Sequence, residues 1–129
     1  MDEEVRMTPE LVAMLTRDDL QSSTKADLIR SDLLRRCHTF DRLLRPYRQD
    51  RIRGTILEDT ITIPEDAISV EDDLTGVVAF EFEEEAHYGC SDMNSIHDHY
   101  DDMGFTVHLN REVIVLHGMD EQERDPDDL

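Results

Sequence analysis

Residues 76–84, GVVAFEFEE, alternate with a period of two: Val78, Phe80 and Phe82 fall on one side, Ala79, Glu81 and Glu83 on the other. Successive side chains of a strand point to opposite faces, so the pattern describes a half-buried antiparallel strand. Continued to Glu85, the outer side carries a row of carboxylates spaced by about 6.6–7 Å. We take Glu81, Glu83, Glu84 and Glu85 as a candidate acidic interface.

The same period runs outward from this stretch. From Gly54, Leu57, Ile61 and Ile63 alternate with polar residues and predict a strand over 55–63. A turn at Pro64-Glu65-Asp66 leads to a short strand over 67–70, and the acid-rich strand itself is placed at 76–84. Further on, 105–109 and 112–117 read as a hairpin. A two-residue turn at Asn110-Arg111 would set Leu109 opposite Glu112, Val107 opposite Ile114 and Phe105 opposite Leu116. That register gathers the apolar side chains on one face.

Before residue 54 the period is helical. Thr8 is a suitable N-cap with Pro9 in the first turn, predicting a helix over 8–20. Ala26, Ile29, Leu33, Cys37, Phe40 and Leu44 recur at steps of three and four, predicting a long helix over 24–45 that Pro46 ends. Ser91 could cap a third helix over 91–103, with Met93, Ile96, Tyr100 and Met103 at helical spacing and Gly104 as a stop. The expected architecture is α+β: an N-terminal helical pair plus a small, mostly antiparallel sheet with one inserted helix. Residues 8–118 form one domain in this reading, after a disordered lead at 1–7 and before an acidic, mobile tail at 119–129.

Charge is divided unequally along the chain. Residues 1–53 hold eleven basic against ten acidic residues, and residues 54–129 hold two against twenty-two, giving the net charge of −19. Arg42, Arg45, Arg48, Arg51 and Arg53 concentrate the positive charge and form a candidate basic interface. Asp outnumbers Glu 19 to 13 and a single Lys accompanies twelve Arg, a surface that also suits adaptation to concentrated salt. A total of −19 repels phosphate, so direct nucleic-acid binding by the whole molecule is disfavoured. No apolar run approaches a membrane span, and the acidic start MDEEVRM is unlike a signal peptide. A cytoplasmic or virion location is expected. Cys37 and Cys90 match no disulfide framework.

No phosphate loop, nucleophile elbow or zinc-protease spacing is present, and no catalytic or cofactor-binding residue is assigned. One cluster holds potential metal ligands: His87, Cys90, His97 and Asp101. Within a helix, His97 and Asp101 would share one face, whereas His97 and His99 would project about 200° apart.

The function expected is a non-enzymatic, acidic protein–protein interaction module from a salt-adapted source. Its partners would be other protein chains, including copies of itself in a ring or connector joined head to tail, basic pole against acidic pole. One alternative is a nucleic-acid-mimicking inhibitor of a basic partner. Another is a metal-dependent enzyme or sensor built on residues 87–108.

Overall fold

The computed structural model describes residues 2–50, 53–88 and 93–119. The chain runs β1 (Asp2–Arg6), α1 (Pro9–Thr16), α2 (Ser22–Leu34), a 3-10 turn (Cys37–Thr39), α3 (Asp41–Leu44) and a second 3-10 turn (Arg45–Tyr47). The strands β2 (Gly54–Thr62), β3 (Ile68–Val70), β4 (Thr75–Tyr88), β5 (Met93–His108) and β6 (Val113–His117) follow. The fold is α+β, with short helices against a mostly antiparallel sheet of order β1-β6-β5-β4-β2, and β3 also paired to β4.

Strand β4 organises the sheet as its period of two implies. Val78, Phe80 and Phe82 face inward and are buried, while Glu81 lies exposed on the other side. Phe80 meets Phe40 edge to face at 5.7 Å between centroids, which anchors the helical layer on the sheet. Ile29, Leu33, Leu43 and Leu44 complete that contact, all fully buried.

The cap at Thr8 forms as expected, its Oγ1 accepting from the Leu11 N–H at 3.2 Å, and α1 ends at Thr16. The expected helix over 24–45 is instead broken after Leu34. Two short turns and α3 carry Cys37, Phe40, Leu43 and Leu44 onward, so the apolar stripe keeps its contacts by bending. At the break, Asp32 is buried and paired with Arg35 and with Arg36, the latter at 3.5 Å.

Residues 2–6 do not form a disordered lead. They pair antiparallel with β6, Val5 opposite Ile114, and the Met7 N–H donates to the Glu112 carbonyl at 2.9 Å. Five residues with one inward apolar side chain are too few for periodicity to reveal; the ladder and a 2.5 Å Arg111–Glu4 ion pair hold them.

The largest correction concerns residues 91–103. From Met93 onward they belong to β5, paired with β4 from Tyr88↔Met93 to Thr75↔Thr106. Ile96 and Tyr100, read as the apolar stripe of a helix, are exposed at 56% and 57%. Their spacing marks no core, and cross-strand pairing overrides it. The final hairpin keeps the expected register, Val107↔Ile114 and Phe105↔Leu116, around residues 109–112. No helix among the described residues is long and apolar enough to cross a membrane. The expected tail lies outside the described residues from position 120 onward.

Candidate functional site

The β4–β5 register brings two unlike chemistries onto opposite faces of one hairpin. On the outer face Glu81 lies opposite Tyr100, Glu83 opposite Asp98, Glu85 opposite Ile96 and Ala79 opposite Asp102. Thr62 and Thr55 of β2 extend this face beside Glu81 and Glu85. Thr60 and Thr62, with Glu81, Glu83, Asp98 and Tyr100, border a groove of about 380 Å³. Like charges directly across a ladder cost stability, and Glu83 with Asp98 is such a pair. Among the described residues no arginine or lysine forms an ion pair with Glu81, Glu83, Glu85, Asp98 or Asp102.

Glu84 belongs to the other face, which corrects its assignment to the acidic interface. It follows Phe80 and Phe82 in the inward set and is completely buried. Its Oε1 accepts from the Gln49 N–H at 2.7 Å, and its Oε2 from the Asp50 N–H at 2.9 Å. His99 Nε2 lies 2.7 Å from Oε1. Burial pushes the Glu84 carboxyl up, but the two N–H donors and His99 outweigh it and hold it below the ordinary range. An ionised carboxylate only accepts, so His99 must present its proton from Nε2. The imidazole stacks on Phe82 at 4.8 Å, its planes 9° apart, and its Nδ1 faces Asp101 Oδ2 at 3.6 Å. Burial pushes Asp101 up, with His99 opposing and Asp102 adding to the rise.

Gly54 makes this arrangement possible. Its backbone φ is not left-handed, so space is what demands glycine: a Cβ there would run into the Glu84 carboxylate and the Asp50 carbonyl.

The expected metal cluster is not assembled by these elements. His97 and Asp101 do share a face, but four residues of strand separate them by about 13 Å, with His99 between. In a helix one turn would have joined them. His97 instead sits 3.1 Å from Ser95 Oγ. The His87 side chain and Cys90 lie outside what is described, and among the described residues no three His, Cys, Asp or Glu side chains are grouped to hold a metal ion.

The basic residues are partly committed to the fold. Arg48 donates from Nε to the Arg45 carbonyl and from Nη1 to the Gly54 carbonyl, both at 2.9 Å, so it braces the turn. Arg45 reaches Asp41 at 3.8 Å, while Arg42 and Arg53 have exposed side chains. Arg51 lies outside the described residues. Arg30, on α2, donates to the Ile63 and Pro64 carbonyls at 3.0 and 3.1 Å. Arg30, Arg35, Arg36, Arg42 and Arg45 thus belong to the helical segments, whose apolar side packs against the inward face of the sheet, while Arg45 and Arg48 border Gly54 and Thr55 on β2.

Cys37 is buried against that layer, and burial pushes its thiol up to about 11, with Arg30 opposing. Alkylation requires thiolate. Iodoacetamide should therefore leave Cys37 unmodified in native protein and label it once denaturant is added, as peptide mass mapping would show.

His99 and the two loop N–H groups were not found from sequence. A signal existed: Glu84 falls at the inward parity of Phe80 and Phe82, and a carboxylate there needs donors. No known protein family, curated protein or solved structure matches the chain.

Proposed function

We propose that this chain is a non-enzymatic protein–protein interaction module whose outer sheet face docks a basic protein surface. One observation carries the reading: Glu83 stands opposite Asp98 beside an exposed Tyr100, with no cation among the described residues to neutralise the pair. A surface held at a cost to its own sheet is one that a partner's charge would relieve. Tyr100 adds an amphipathic ring, a residue type enriched at interfaces. The arginine-bearing helical side of a second copy is one basic surface within reach, and it would give a head-to-tail assembly.

The test neutralises the face without changing its shape. E81Q/E83Q/D98N is compared with a control of equal charge change in exposed loops, E65Q/D72N/E71Q. The wild type and the control are expected to be retained on immobilised polyarginine at low salt, and the face variant to elute early. The face variant should also gain about 0.5–1 kcal/mol of stability through relief of repulsion. Equal retention of the two variants would sink the reading. Mass measurement in low and in molar salt decides whether the basic surface is a second copy, since an assembly joined by charge dissolves in salt.

A further inference from the structure

Among the described residues the sheet leaves one long strand edge open. Strand β5 pairs with β6 only from Gly104 to His108, yet it continues along β4 back to Met93. The eleven residues before Gly104, about 36 Å of strand, therefore have a neighbour on one side only among the described residues. The direction of their backbone groups follows from the ladder. Val107 donates its N–H to Leu74, on the β4 side, at 2.9 Å. Backbone groups alternate along an antiparallel strand, so odd-numbered residues of β5 bond to β4 and even-numbered ones point away. Ile96, Asp98, Tyr100 and Asp102 thus present N–H and C=O to the open edge, and among the described residues no backbone group answers them. The side chains of these same four residues lie on the acidic outer face and are exposed.

We infer that this edge is a strand-addition site for an extended cationic segment of a partner protein, one that alternates basic and small or apolar residues. The inference rests on the acidic face being a docking surface and names what docks there. Charge selects the occupant. Natural edges are guarded by charged side chains, and Asp98 and Asp102 guard this one against another acidic strand, including β5 of a second copy. The arginine-rich side of a second copy is wound into α3 and 3-10 turns, so it cannot add as a strand. A cationic strand meets no such barrier. Its alternate basic side chains, at the same spacing as the edge residues, would stand beside Asp98, Tyr100 and Asp102 on the acidic face, with the smaller residues turned to the other face. Main-chain bonds would give affinity and the acidic row the choice of sequence.

Chirality separates this site from simple charge attraction. The probes are an alternating Arg–Thr peptide of about eight residues, near the length of a common strand, and the same sequence with D-residues at every second position. Both carry equal charge, but only the all-L peptide can lie in a regular ladder. The all-L peptide is expected to bind at least about tenfold more tightly by fluorescence anisotropy. It should also slow hydrogen exchange at the amides of Ile96, Asp98, Tyr100 and Asp102. I96P removes one edge N–H without touching the bonds to β4 and should abolish the preference, whereas I96A should keep it. Equal binding of both peptides to wild type, with loss of both in E81Q/E83Q/D98N, would overturn the edge site and leave the docking face standing. Binding of neither would overturn both. A dimer of the protein alone that I96P dissolves would overturn the choice of occupant. The comparison of peptides on wild type decides the matter even if I96P does not fold.

Discussion

Glu84→Gln should lower the unfolding free energy by about 3 kcal/mol, although it removes no atom from the packing and changes one oxygen to an amide nitrogen. All three groups around this carboxylate, the N–H of Gln49, the N–H of Asp50 and His99 Nε2, reach it as donors. A carboxamide offers one accepting oxygen and an NH2 that only donates. Turned either way, its NH2 meets a backbone N–H and leaves it without an acceptor. Denaturant titration checks the size of the loss. A change within about 0.5 kcal/mol, ordinary for a surface substitution, would mean that the carboxylate is not what holds the 49–50 segment to the sheet.

The same residue sets the acid limb of stability. Glu84 binds its proton more weakly folded than unfolded, so its contribution is complete above the ordinary glutamate value of about 4.3. It is lost as pH falls toward the lowered folded value. Asp101, held above its ordinary range, acts in the opposite sense: its cost near neutral pH is relieved as pH falls. Stability measured from pH 6 downward should therefore flatten in Glu84→Gln and steepen in Asp101→Asn. Parallel acid limbs in all three proteins would refute the assignment.

Gly54→Ala is the second large effect, expected at about 3 kcal/mol because the added methyl has no room. It would collide with the Asp50 carbonyl, which accepts from the Gly54 N–H at 2.9 Å, and with the Glu84 carboxylate. Backbone on one side and a triply bonded side chain on the other leave little freedom to yield. The two substitutions should not add. Once Gly54→Ala has displaced the carboxylate, Glu84→Gln has fewer bonds left to break, so the double variant should cost clearly less than the sum. Additivity within about 0.5 kcal/mol would show that the two residues do not share one site.

What the sequence revealed follows from which signals are local. The parity of residues 76–84, the Thr8 cap and the register of the last hairpin depend on neighbours in the chain, and each was legible. Strand β5 was not. Its outward set, Ile96, Asp98, Tyr100 and Asp102, mixes apolar and acidic residues, and its inward set carries Ser95, His97, His99 and Asp101. Neither set alternates in polarity: His99 answers Glu84, Asp101 faces His99 and Ser95 pairs with His97, and such reasons are invisible without the strand pairing. The break in the second helix was hidden for a related cause: its apolar steps continue through Cys37 and Phe40, and only the contact with Phe80 shows the chain bending to keep them buried. Of the site residues, Glu81, Glu83 and Glu85 stand on the outward face as read, whereas Glu84 was grouped by composition when parity already separated it.

The position of β6 bears on how the molecule is made. It lies between β1 and β5, so among the described residues the first strand finds its ladder partner in the last. During synthesis, Val5 and Met7 must wait about a hundred residues for Ile114 and its neighbours, and the loop so closed is nearly as long as the domain. Assembly of this sheet is thus bound to be late, with the apolar stretch 113–116 sealed on both flanks only at the end. Until then a nascent chain carries Val5, Met7 and the 104–108 edge of β5 without the strand that covers them, a condition under which holding chaperones are needed.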